Sequence, residues 1–68
     1  MEGNNKACSE IERAAEQGNA KEQYSLGYMH ERGLSFPKDL KKAIEWYQKA
    51  AAQGHAGAQN NLQRLKGI

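Results

Sequence analysis

The side chains of this sequence that could do covalent chemistry are few and scattered. Cys8 is the one thiol, and His30 and His55 are the two imidazoles. A thiol nucleophile is activated by a base within hydrogen-bond reach, and nothing in the spacing of Cys8, His30 and His55 brings them together. A structural zinc site takes four ligands, mostly Cys and His in paired spacing, which these three residues do not supply. Gly18, Gly33 and Gly54 are isolated, so no glycine-rich phosphate loop is formed. The expectation is therefore no enzyme, no catalytic residue, no metal and no cofactor. Cys8 is read as a small buried hydrophobe, and His55 as a loop residue at a helix start. Recognition chemistry is better provided. Tyr24 and Tyr28 are four residues apart, hence neighbours on a helix, and Lys21 and Arg32 flank them. Tyr and Arg are enriched among interface anchors. The alternative, that Tyr24 and Tyr28 only wedge adjacent helices together, stays open. Trp46 and Tyr47 are read as packing residues, and Met29 and Phe36 as gap fillers.

The elements that position these residues must be helical. The 68 residues include ten Ala and five Leu but no Val and no Thr, so Ile11, Ile44 and Ile68 are the only β-branched side chains. A pleated sheet draws on such residues, whereas Ala, Leu, Glu, Lys, Gln and Arg favour helices. A single cysteine cannot build an intramolecular disulfide framework, and below about 70–80 residues one apolar core rarely gives more than about 3–5 kcal/mol of net stability. Stability must come from tight helix packing, self-association or a partner. No apolar run approaches the ~18 residues of a membrane span, so no membrane role is expected. The first residues, Met1 to Asn5, lack a basic-then-apolar leader pattern. The expected setting is the cytoplasm, or an exported one had a leader been removed. Net charge is +2, divided as −2 over residues 1–34 and +4 over 35–68. Lys38, Lys41 and Lys42 make too thin a basic stripe for a nucleic-acid module.

An internal repeat organises the chain. Residues 14–20, Ala-Ala-Glu-Gln-Gly-Asn-Ala, recur as 50–56, Ala-Ala-Ala-Gln-Gly-His-Ala, at an offset of 36. Over 6–27 against 42–63, nine of 22 positions are identical. Four helices follow from the punctuation. The first spans about Asn5 to Gln17 and stops at Gly18. Asn19 caps the second, with Glu22 as the return half of a capping box, and Gly33 ends it after about Arg32. Pro37 keeps Phe36 out of helical geometry. Asp39 caps the third helix, about Leu40 to Gln53, which stops at Gly54. The fourth runs from about Ala56 to Lys66, with His55 a weaker cap and Gly67 the stop. Leu40, Ala43, Ile44, Tyr47, Ala50 and Ala51 recur at three- and four-residue steps. Small residues at Ala20, Gly27, Ala43, Ala50 and Ala51 permit close helix approach.

Two stretches resemble a known family. Tyr24-Ser25-Leu26-Gly27-Tyr28-Met29-His30-Glu31-Arg32-Gly33 looks like the opening helix of a Sel-one-like repeat. Pro37-Lys38-Asp39-Leu40-Lys41-Lys42-Ala43-Ile44-Glu45-Trp46-Tyr47-Gln48-Lys49-Ala50-Ala51-Ala52-Gln53-Gly54 looks like its second helix. Residues 20–55 then make one full repeat, 4–19 a preceding half repeat and 56–68 a terminal half repeat, within a single domain of 1–68. Glu22 stands where the family has a small residue, Ser35 where Gly is common, and His30 where an aromatic is common. Asn60 and Gln63 replace a Tyr and a Gly, as suits a polar end cap.

The resemblance implies an all-α fold, a short tetratricopeptide-like α-solenoid of antiparallel helix pairs, and an adaptor or scaffold function. It also implies a bacterial setting. In such solenoids the first helix of each pair lines the concave face. With Leu26, Gly27 and His30 packed inward, Lys21, Tyr24, Tyr28 and Arg32 fall on that side, joined by Asn60 and Arg64, the positions 36 residues on from Tyr24 and Tyr28. These six residues are the expected binding strip for a partner protein or peptide. The alternative is a structural protein that self-assembles into a homodimer or higher oligomer through its end helices, because solenoids usually need about three repeats for stability.

Overall fold

The computed structural model of the chain describes residues 10–67. All regular structure among them is helical. Helix α1 is described over 10–16, α2 is Ala20–Arg32, α3 is Leu40–Ala52 and α4 is Ala56–Lys66. The fold is an all-α solenoid of the expected kind. The expected start of α1 near Asn5 and the reading of Cys8 lie outside the described residues.

The boundaries have local causes. Asn19 Oδ1 accepts the Glu22 amide at 3.2 Å, and Asp39 Oδ1 accepts the Lys42 amide at 3.1 Å. Each satisfies one donor that a helix start leaves without an intrahelical partner. No return bond from the Glu22 carboxylate occurs among the described hydrogen bonds, so Asn19 acts as a simple cap rather than half of a box. His55 caps as well: its Nδ1 accepts the Ala58 amide at 3.1 Å. At both turns between successive repeats the chain reverses through a left-handed glycine, Gly18 at φ 102° and Gly54 at φ 88°. That region costs an L side chain roughly 1–2 kcal/mol. Ser35 adopts it without being glycine, at φ 65°, in the loop that joins α2 to α3. That loop is pinned at both ends by backbone bonds, Leu34 N–H to Met29 O and Asp39 N–H to His30 O, each 2.9 Å. Phe36 folds back over the buried His30 ring, centroid to centroid 4.7 Å.

The helices stack in sequence order. Helix α2 packs against α3, and α3 against α4. The core is small and built largely of alanine: Ala43, Tyr47, Ala50 and Ala58 are fully buried, with Ala20, Tyr24, Ala51, Leu62 and Leu65 packed around them. Leu26 and Ala15 are buried as well. The 36-residue period is visible as repeated bonding. Gln23 Nε2 donates to Ala15 O at 2.9 Å, and 36 residues on Gln59 Nε2 donates to Ala51 O at 3.2 Å. Each amide ties a helix to the one before it across a glycine turn.

Tyr47 is the largest buried side chain, and it fits because α2 presents Gly27 to it. A Cβ on residue 27 would meet Tyr47 Cδ1 and Cε1 at 2.6 Å. The ring cannot retreat, since it also lies 5.7 Å from the Tyr24 ring and its hydroxyl is bonded to Glu31. Gly27→Ala therefore sets a helix-propensity gain of about 1 kcal/mol against an overpacking cost of about 1–3 kcal/mol, to which the fixed ring adds. The expected outcome is a net loss of about 1–2 kcal/mol, read by urea unfolding; an unchanged or higher midpoint would show that the helices can move apart freely.

Candidate partner-binding surface

Helices α2 and α4 lie side by side, and the strip they share is organised around one buried carboxylate. Glu31 is only 8% exposed. Tyr47 Oη donates to its Oε1 at 2.8 Å, and Arg64 Nη2 donates to its Oε2 at 2.7 Å. One side chain from each of α2, α3 and α4 thus meets at a point. A second link runs beside it: Asn61 Nδ2 donates to Tyr24 Oη at 3.3 Å, while the Tyr24 ring stacks on His55 at 4.7 Å.

The six residues expected to bind a partner divide accordingly. Tyr24 is half-buried between Tyr47 and His55. Arg64 is half exposed, with its guanidinium closed onto Glu31. Tyr28 stands out from α2, 40% exposed, and Arg32 lies over its ring, 5.3 Å from Cζ to the centroid. Lys21 is exposed two turns before Tyr28 on α2, and Asn60 is exposed on α4. The structure therefore brings Tyr28 to Arg32 and ties Arg64 and Tyr24 into the helix packing, while Lys21 and Asn60 project separately. Trp46, half-buried on α3, carries Lys49 over its ring at 4.5 Å, and Met29 and Phe36 are half-buried.

Glu31 and Asn61 were not among the expected residues. A signal for Glu31 was present: Gln23, Gly27 and Glu31 recur at four-residue steps, which puts an acid on the face that α2 buries. Its partners lie 16 and 33 residues away, beyond what helical spacing reveals. No group of three or more His, Cys, Asp or Glu that could hold a metal occurs among the described residues, and no helix among them is long and apolar enough to cross a membrane.

The electrostatics follow from the geometry. Burial pushes the Glu31 carboxyl up, but hydrogen bonds from Tyr47 and Arg64 and the charges of Arg64 and Arg32 outweigh it and hold the group below its ordinary value. Burial, then the bond to Glu31 and its charge, pushes the Tyr47 hydroxyl well above the usual phenol range. The bond to Glu31 raises Arg64 further. With the folded carboxyl depressed, the unfolded chain takes up its proton first as pH falls. The stability Glu31 contributes is complete above the ordinary carboxyl value and disappears as pH drops through the folded one. Melting temperature is expected to hold between pH 7 and 5 and decline below about 4.5, the ordinary value for this group. Glu31→Gln lowers the neutral plateau and flattens that decline, so parallel acid limbs for the two proteins would remove Glu31 from the account.

Comparison with known proteins agrees with this architecture. The Sel1 repeat profile matches residues 11–19 and 23–55, more than half of the chain. The chain is 47% identical over 55 residues to the chitin synthase regulator SKT5 of Malassezia restricta, covering 81% of this chain and 4% of that protein. It is 43% identical over 52 residues to the DAP3-binding cell death enhancer 1 of Rattus norvegicus, covering 76% of this chain and 10% of that one. It is 41% identical over 51 residues to chitin synthase regulatory factor 3 of Schizosaccharomyces pombe, 75% of this chain and 6% of that one. The chain thus spans a tenth or less of each of these relatives. None of the three is bacterial, so the bacterial setting gains no support from them. No solved structure matches the chain. From its repeat period, its helix order and the profile match, the chain belongs to the Sel1 repeat family.

Proposed function

We propose that the chain is a non-enzymatic interaction module that binds a partner protein or peptide along the concave strip of α2 and α4. Sel1 repeat proteins are in general protein-interaction modules, and the similar proteins are named as regulators or as a binding factor. The observation that carries the finer reading is the exposed Tyr28–Arg32 pair. A tyrosine held by a guanidinium loses little rotamer freedom when a partner covers it, and rigid aromatic and Arg side chains are the residues that anchor interfaces. Lys21 adds an exposed cation on the same helix, and Asn60 an exposed amide on the next. Arg64 contributes its outer edge while Glu31 holds its position.

This division tells which substitutions report on binding. Arg64→Ala strands the buried Glu31 and confounds stability with recognition. Tyr28→Ala removes a ring that makes no described hydrogen bond, and Arg32→Ala removes an exposed guanidinium whose charge adds only the smallest contribution at Glu31. Screened against a displayed peptide library, the native chain is expected to select ligands whose affinity falls about tenfold or more in Tyr28→Ala, the loss of an interface anchor of about 2 kcal/mol. The melting temperature should fall far less than in Arg64→Ala, and Lys49→Ala on α3 should bind normally. Selected ligands that bind the Tyr28→Ala, Arg32→Ala double variant as tightly as the native chain would place the binding surface elsewhere.

A further inference from the structure

Lys21, Ser25, Tyr28 and Arg32 follow one another at steps of four, three and four residues, which sets them on one stripe of α2. The helix is bonded to α1 through Gln23 and to α3 and α4 through Glu31. The stripe is the face these contacts leave outward. Lys21, Tyr28 and Arg32 are exposed, and the Ser25 hydroxyl turns back to donate to Lys21 O at 3.0 Å. We infer that this stripe selects an acidic segment of the partner protein, an inference that rests on the interaction role proposed for α2 and α4. Two carboxylates of the segment pair with Lys21 and Arg32, and an apolar side chain between them covers Tyr28.

The first support is charge. Among the described residues the one ion pair is Arg64 with Glu31. That pair cancels itself, and Lys21 and Arg32 have no such partner among those residues. No acid shares their stripe. Glu22, the other acid of α2, lies about 100° round the helix from Lys21 and is half-buried. Helix α4, which borders the strip, contains neither Asp nor Glu. The strip therefore holds +2, the whole net charge of the chain, while the seven basic and seven acidic residues outside it cancel. Such a surface steers an acidic partner toward it and disfavours basic competitors.

The second support is spacing. Lys21 and Arg32 are separated by about 16 Å along the helix, a span that five extended residues cover at about 3.3 Å each. Tyr28 precedes Arg32 by about 6 Å, the length of two extended residues. A segment with acids five positions apart and an apolar residue two positions from one of them meets all three side chains. The Arg32 guanidinium lies over the Tyr28 ring at 5.3 Å, so cation and aromatic are presented as a unit. A nucleic-acid strand, with a charge roughly every 3.4 Å, would leave most of its phosphates unmatched across the same span.

Lys41 supplies a matched control. It is the exposed second residue of α3, as Lys21 is of α2. Lys21→Glu and Lys41→Glu change the net charge equally, and an acid in the first turn suits a helix, so both should fold. Circular dichroism and melting check this for each variant. From a displayed random-peptide library the native chain is expected to select segments with Asp or Glu at two positions five apart. Their affinity should fall about fivefold in Arg32→Gln, the loss of one good exposed ion pair, and about tenfold in Lys21→Glu, where repulsion is added. Lys41→Glu should cost less than about twofold. Raising salt from about 50 to about 300 mM should weaken the native complex and leave a Lys21→Glu, Arg32→Gln double variant nearly unchanged. Ligands that need Tyr28 but carry no acidic excess, or an equal loss in Lys41→Glu and Lys21→Glu, would overturn the acidic assignment and leave the binding surface in place. Tighter binding of a mixed-sequence oligonucleotide than of any selected peptide would overturn it as well. Ligands indifferent to both Tyr28 and Arg32, or a screen that selects none, would overturn the surface itself.

Discussion

The stack depends on the seat of Tyr47. Its ring occupies the space that Gly27 leaves open, and its hydroxyl ends on the carboxylate of Glu31. Burying a carboxylate without partners is costly, and here the cost is offset by a phenol from α3 and a guanidinium from α4. The apolar and the ionic requirements are therefore met by the same residue. Remove the ring and the alanine-rich core loses its one large member. Remove the hydroxyl and Glu31 keeps only a half-exposed arginine. A short chain with six buried apolar residues among those described concentrates its specificity in this single contact.

The same contact explains how the exposed strip is arranged. Holding Arg64 against Glu31 fixes α4 beside α2, and Asn61 reaching Tyr24 repeats that fixation. Tyr28 and Arg32 make none of these hydrogen bonds and are paired with each other instead. The helix thus separates its aromatics by role: Tyr24 faces the stack and Tyr28 faces outward, although they are one turn apart and alike in sequence.

Much of this was legible in the residues. The valine-free composition, the offset of 36 and the glycines at the turns give four helices, and α2, α3 and α4 begin at the expected residues because Asn19, Asp39 and His55 each carry an atom that can accept a backbone amide. The inward set of Leu26, Gly27 and His30, implied by the family resemblance, is buried. What spacing could not reveal is which exposed-looking charges are spent internally. Arg64 reads as a surface cation until α2 is placed beside it, and Glu31, though its spacing puts it on the buried face, has no visible partner until Tyr47 arrives from 16 residues away. Pairings between helices depend on crossing geometry, which a single sequence does not encode at any fixed offset.

The span of the hydrogen bonds has a kinetic meaning. Side-chain bonds among the described residues that join different helices reach eight residues, as at Gln23 and Gln59, 16, as from Tyr47 to Glu31, or about one repeat, as at Gln53, Arg64 and Asn61, and none exceeds 37. Each helix bonds to those just before it, and Glu31 of α2 is completed within the next two helices. Chains dominated by near-neighbour contacts fold quickly, and stacked repeats can propagate from any formed unit. A chain emerging from the ribosome can thus add each helix to those before it, with Glu31 waiting 33 residues for its last partner.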